Sequence, residues 1–303
     1  MDRRKFITKT SASTAFVGLG GLSLGSCKSL STNHITILHT NDVHSHIDAF
    51  PKTHSHFPNL GGLARRATLV ETIRTENPNT LLLDAGDIFQ GTPYFNFYGG
   101  ELEFKLMSKL KYDAATIGNH DFDNGIDGLF AQLPHASFEL LSGNYDFSNT
   151  VLNGHVKPYN TYKVGGLKIG IYGIGIELIG LVTKKLFKET KYLDPYDIAT
   201  DIETKLKEEE NCDLVICLSH LGYHYKNENK PDDLKLAAKT KYTDLIIGGH
   251  THTFLDKPTV IKNALGTNIL VNQVGCYGIN LGRIDFYFDS DKNKQSKGTS
   301  IIV

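Results

Sequence analysis

Gly118-Asn119-His120-Asp121 follows the apolar run Ala114-Ala115-Thr116-Ile117, which reads as a buried strand. Gly118 would let the chain turn sharply at the strand's end. Asn119 offers a neutral oxygen ligand and His120 an imidazole, at the place where α/β sheets put their chemistry. Alone the stretch says little, because an Asp or His at a strand end is more often a cap or a core residue. Four further apolar runs end in the same residue types. Ile35–Leu38 leads to Asp42-Val43-His44, Leu81–Leu83 to Asp87, Leu214–Leu218 to His220, and Leu245–Ile247 to His250-Thr251-His252. Helical spacing fills the intervals, with Leu63, Ala67, Val70 and Ile73 before a stop at Pro78, then 101–110, the stretch after Gly125 to Leu133, 195–210 and 232–241. Strands alternating with helices predict an α/β fold with mixed sheets.

Composition narrows the function. With a formal net charge of −1 over 303 residues, there is no basic field for general nucleic-acid binding. Four cysteines are too few for a disulfide framework. Cys212 and Cys217 stand about 16 Å apart on an extended segment, out of disulfide reach, so they and Cys276 read as buried free thiols. The thirteen histidines are many, and most of the motifs above draw on them.

Residues 1–26 read as a targeting segment. Arg3-Arg4-Lys5 precedes a small, apolar stretch from Ala12 to Leu24, too short to span a bilayer, which closes in Leu24-Gly25-Ser26-Cys27. This resembles a twin-arginine export signal ending in a lipoprotein cleavage box, with a lipid anchor on Cys27 and an exported, periplasmic or cell-envelope location. Residues 27–33 then form a tether, 34–290 the functional domain, and 291–303 a tail that looks frayed. Within the domain, Tyr159–Val164, the Gly165-Gly166 turn and Leu167–Ile174 predict a β-hairpin. His54 and His56 lie in an aperiodic loop and read as solvated.

Asp42, His44, Asp87, Asn119, His220, His250 and His252 are too many ligands for one divalent ion and right for two sharing a carboxylate. Asp87 is the natural bridge, and Asp42 and His44, two positions apart, would point to one side on an extended backbone. Two such cations carry about +4, the two carboxylates return −2, and the remaining charge of about +2 suits a phosphate-like substrate and acidifies a bound water toward a pKa of ~7. His120, adjacent to the ligand Asn119, is better suited to contacting a phosphoryl oxygen or protonating the leaving alkoxide. An acid would fix its tautomer, with Asp123, placed at the start of the following helix, the first choice and Asp121 the second.

As a set, Asp42-x-His44, Gly86-Asp87, Gly118-Asn119-His120-Asp121, His220 and Gly249-His250-x-His252 resemble the calcineurin-like metallophosphoesterase superfamily. His39-Thr40-Asn41-Asp42, Asp84-Ala85-Gly86-Asp87 with Gln90-Gly91-Thr92-Pro93, and Leu281-Gly282-Arg283 are similar to the catalytic domain of the 5′-nucleotidase/UDP-sugar hydrolase family. The resemblance implies a four-layer αββα sandwich with two mixed sheets and a pair of divalent metals, zinc, manganese or iron. It implies one metal on Asp42, His44, Asp87 and His252, a second on Asp87, Asn119, His220 and His250, and a catalytic dyad of His120 and Asp123. His252 stands where several nucleotidases of this family carry an amide. The family's second, nucleotide-binding domain is not encoded within these residues, which implies a separately encoded partner for a small phosphorylated substrate such as a nucleotide. Competing expectations are a phosphodiesterase, a nucleotide-sugar pyrophosphatase, a sulfur-ester hydrolase, or a non-enzymatic lipoprotein that binds metal or nucleotide.

Overall fold

The computed structural model describes residues 33–303. The expected export signal, Cys27 and most of the expected tether therefore lie outside the described residues. In chain order the elements are β1 (Asn33–Thr40), α1 (Leu63–Glu76), β2 (Thr80–Asp84), α2 (Pro93–Tyr98), α3 (Glu101–Lys109), β3 (Ala114–Thr116), α4 (Gly125–Gln132), β4 (Glu139–Leu141) and β5 (Tyr145–Asp146). They continue with β6 (Tyr159–Val164), β7 (Leu167–Ile174), α5 (Lys184–Phe187), β8 (Lys191–Tyr192), α6 (Pro195–Thr204), β9 (Leu214–Ser219), α7 (Asp233–Lys239) and β10 (Leu245–Gly248). β11 (Thr259–Lys262), β12 (Asn268–Asn272), β13 (Asn280–Phe288) and β14 (Lys294–Ile302) complete the chain.

Two six-stranded sheets form, in the orders β14-β13-β1-β2-β3-β4 and β11-β12-β10-β9-β7-β6. Strands β1 to β4 are mutually parallel, as are β7, β9, β10 and β12, while the outer strands pair antiparallel. Both sheets are therefore mixed. Alternation along each strand sends side chains to opposite faces. Ile35, Ile37, Leu81 and Leu83 from the first sheet meet Ile169, Ile171, Leu214, Ile216, Leu245 and Ile247 from the second in one apolar layer. The opposite faces bury Leu38, Leu82 and Ala115 under α1, α3 and α4, and Val215, Cys217 and Ile246 under α6 and α7. The result is the four-layer αββα sandwich. Its central strands are apolar on both faces because both faces are covered.

The β6–β7 hairpin forms as expected, with Gly165 and Gly166 both at positive φ, 56° and 78°, in the turn. Cys212, Cys217 and Cys276 are buried free thiols. The tail does not fray. Residues 294–302 form β14, paired with β13 along its whole length. A turn held by the Asp289 carboxylate, which accepts from the Asp291 and Asn293 N–H groups at 2.9 Å, starts it. Its mostly exposed, polar sequence carries no apolar alternation, so only the unpaired edge of β13 calls for a strand there. Ile301 and Val303 anchor it on the core, and its lysines guard the new edge. Among the described residues, no helix is long and apolar enough to cross a membrane.

Candidate metal centre

The loops that leave β1, β2, β3, β9 and β10 at their C-terminal ends are tied to one another. The Asp42 N–H donates to Gly86 O at 2.9 Å and the His44 N–H to Asp87 O at 3.0 Å. His220, on the second sheet, donates its Nδ1–H to Ala85 O, on the first, at 2.7 Å. His44 Nδ1 does the same toward Phe89 O at 3.2 Å. A carbonyl only accepts, so each Nδ1 keeps its proton and each Nε2 is turned toward the centre, where a bound cation would take the place of a proton.

Ligand atoms of Asp42, His44 and His252 lie within 4.8 Å of one another, as do those of Asp87, His220 and His250. Asp87 stands between the groups, with Oδ2 3.0 Å from His220 Nε2 and 3.8 Å from His44 Nε2. Asn119 Oδ1 is 2.8 Å from His250 Nδ1 and so joins the second group. His252 Nε2 is 3.0 Å from His44 Nε2 and 3.5 Å from Asp42 Oδ1. All seven side chains singled out from the sequence thus converge on one place.

The backbone achieves this differently from the extended Asp-x-His expected above. Asp42, His44, Asp87, His250 and His252 all have left-handed φ, between 49° and 70°. Such angles are uncommon outside glycine, and tight successive bends, not strand alternation, bring Asp42 and His44 to the same centre. Gly118, by contrast, is not in that region. It is glycine because a Cβ there would lie 2.2 Å from Asp87 Oδ1. A Gly118→Ala protein should lose about 1–3 kcal/mol of stability and bind less metal. Thermal denaturation and metal analysis check this, and unchanged values for both would refute the close-approach explanation.

Burial works against the His220 imidazolium, yet the Asp87 and Asp42 carboxylates outweigh it and push its pKa up to about 10. Burial also works to raise Asp87, but the charge of His220, with His44 and His120, holds its carboxyl well below the usual range. Burial lowers His250 to about 4, with His220 adding to the effect, and burial lowers His44 as well. The donors fit divalent cations. His220 Nε2 is fully buried and has no aligned hydrogen-bond partner, two imidazole nitrogens face each other across 3.0 Å, and carboxylates, imidazoles and an amide suit zinc, manganese or iron.

His120 sits at the rim, about a third exposed, with its Nδ1 2.7 Å from Asp123 Oδ2. That leaves Nε2 directed away from the carboxylate. The Asp123 hydrogen bond raises the His120 pKa above the ordinary imidazole value against a smaller opposing effect of burial. Asp123 is not the cap of α4, which begins at Gly125 after an Asn124 with no side-chain capping bond; its carboxylate is committed to His120. Asp121, the other acid near that ring, instead accepts the backbone N–H groups of Asp87, Ile88, Phe89 and Gly118 at 2.7–3.1 Å. It clamps the Asp87 loop to the Gly118 loop. Asn41 is a second support, and the sequence motifs do not assign it that role. Its amide donates to Asp42 Oδ2 at 2.7 Å and Gly275 O at 2.6 Å, and its carbonyl accepts the Val274 N–H at 3.0 Å. Its place beside Asp42 was the available signal.

Comparison with known proteins places this geometry in company. The family model for calcineurin-like phosphoesterases matches residues 35–254. The snake venom 5′-nucleotidase of Crotalus adamanteus is 33% identical over 295 residues, covering 89% of this chain and 48% of the relative. The human 5′-nucleotidase is also 33% identical, over 89% of this chain and 49% of its own. The chain thus spans about half the length of these relatives. Among solved structures, the 5′-nucleotidase precursor from Thermus thermophilus superposes with a TM-score of 0.80 at 34% identity, over 89% of this chain and 54% of that one.

Proposed function

The chain belongs to the calcineurin-like phosphoesterase family, and from that premise we propose that it is a phosphoric-ester hydrolase dependent on two divalent metals, acting on 5′-nucleotide-like monoesters. The observation that carries the reading is Asp87 standing between two groups of ligand atoms, with the His120–Asp123 pair at their rim. Asp42, His44, Asp87 and His252 would hold one ion, and Asp87, Asn119, His220 and His250 the other. When bound, the pair supplies Lewis-acid stabilisation of phosphoryl charge and a nucleophile at neutral pH. The chain's own residues do the rest. The His120 N–H fixes Asp87 by donating to Oδ1 at 2.8 Å, and the His120 ring, oriented by Asp123, protonates the departing alkoxide.

Purified protein stripped with a chelator should lose turnover of p-nitrophenyl phosphate and nucleoside monophosphates, and zinc, manganese or iron should restore it. Failure of every metal on every monoester, with and without a nucleotide-binding partner chain, would reject the proposal. A second reading is diester or pyrophosphate hydrolysis; one relative at 33% identity, a Bacillus subtilis protein of which this chain matches 19%, is named a trifunctional nucleotide phosphoesterase and so has more than one activity. Turnover of bis-p-nitrophenyl phosphate in preference to the monoester would favour it.

We further propose that the protein is exported and tethered to a membrane through Cys27. The basis is the Arg3-Arg4 and Leu24-Gly25-Ser26-Cys27 sequence. Fatty-acid labelling of the expressed chain should vanish with Cys27→Ala; labelling that persists rules the anchor out.

A further inference from the structure

We propose that the rings of Tyr277, Phe50, Phe57 and Phe254 form a stacking subsite, built by this chain alone, for a planar aromatic group carried by the leaving alcohol, such as the base of a nucleoside. The role assigned to the rings rests on the hydrolase reading, whereas the binding itself does not. Tyr277 is the inner end of the wall. Its ring centroid lies 6.0 Å from that of His44 and 5.9 Å from that of His252. His44 is also 5.2 Å from His120. Tyr277 and His120 are thus both neighbours of one ligand imidazole, and the aromatic wall begins at the rim of the candidate metal centre.

From there the rings step outward. Phe50 is 5.8 Å from Tyr277, Phe57 is 5.5 Å from Phe50, and Phe254 is 6.1 Å from Phe57 and nearly parallel to it at 28°. Tyr277, Phe50 and Phe57 are half-buried, and Phe254 is 45% exposed. His46 and His54 back the inner rings, and contiguous aromatic surface partly open to water at the edge of a reaction centre is the sort of feature that marks a binding site.

The wall is held in place. Tyr277 takes a left-handed φ of 60°, strained for a bulky residue, and its N–H donates to Asp42 O at 2.7 Å. The same turn is pinned by Asn41 at Gly275 O. Gly275 leaves room for the outermost ring, since a Cβ there would lie 2.2 Å from Phe254 Cε1. The loop that carries Phe50 and Phe57 is closed by the Phe50 N–H to Leu60 O at 2.9 Å and by the Phe57 N–H to His54 Nδ1 at 3.0 Å. Every nucleobase presents a π-face, so such a wall would recognise the class of leaving group without choosing among bases.

The test measures binding and turnover separately on the full chain. Adenosine, which carries no phosphate, should bind metal-loaded and metal-free protein in ligand-observed NMR while ribose does not. Phe254→Ala and Phe57→Ala should each weaken adenosine about tenfold. In turnover, the preference in kcat/KM for adenosine 5′-monophosphate over ribose 5-phosphate should shrink by the same factor through KM, leaving ribose 5-phosphate unchanged. Phe254 is exposed enough that its replacement leaves the fold intact, which circular dichroism checks. Absence of adenosine binding, or an affinity indifferent to both substitutions, overturns the subsite. Adenosine binding that depends on the rings, without hydrolysis of any monoester, sustains the subsite and overturns the hydrolase reading. Hydrolysis that treats both phosphates alike does the reverse.

Discussion

An Asp87→Ala protein should lose at least about a thousandfold in kcat and retain less than its full pair of metals. Asp87 stands between the two groups, Oδ2 lying 3.0 Å from His220 Nε2 and 3.8 Å from His44 Nε2. Removing it takes a ligand from each proposed ion together with the negative charge that balances them. Metal-based charge stabilisation is worth several kcal/mol, and each 1.36 kcal/mol is a factor of ten in rate. The substitution also frees the N–H of His120, which donates to Asp87 Oδ1, so the general acid loses its register at the same time. Elemental analysis of the purified variant beside single-turnover kinetics makes the comparison. Full metal content with ordinary turnover would show that Asp87 bridges nothing.

His120→Ala should behave differently, with metal content intact and kcat for alkyl phosphoesters reduced roughly a hundred- to ten-thousandfold. The defect should be smaller on p-nitrophenyl phosphate, whose leaving group needs little help from a proton. Asp123→Asn separates the proton from the ring. The Asp123 hydrogen bond holds the His120 pKa above its ordinary value, so the protonated acid is fully present below the ordinary imidazole pKa and is lost as pH rises through the raised one. Without that carboxylate the alkaline limb of the pH–kcat profile should move to lower pH. Bound metals act on both proteins alike, so the displacement isolates Asp123. A limb that stays in place would mean that another group carries the proton.

Much of the fold was legible because apolar runs such as Leu81-Leu82-Leu83 and Leu214–Leu218 mark strands covered on both faces. The ligand residues were legible because aspartate, asparagine and histidine recur where those runs end. The backbone that gathers them was not. Nothing in the composition of Asp42-Val43-His44 announces two left-handed residues, since that conformation is imposed by the neighbouring Asp87 loop through hydrogen bonds distant in sequence. The choice between Asp121 and Asp123 was equally hidden. Both lie near His120, and the four backbone donors that claim Asp121 come mainly from a loop more than thirty residues away. The strand β14 escaped notice for the opposite reason, being specified by its neighbour's free edge and hardly at all by its own side chains. Phe50 and Phe57, in a loop without periodicity, gave no sign of lining up with Tyr277 more than two hundred positions later.

The left-handed angles at Asp42, His44, Asp87, His250 and His252 set stability against function at this centre. Backbone held in such regions costs on the order of 1 kcal/mol or more per residue, and glycine would relieve it at every one of the five positions. Optimising this protein for heat resistance alone would therefore dismantle it from the middle outward. A screen for hardier variants should be read with suspicion wherever its winners fall on these five residues.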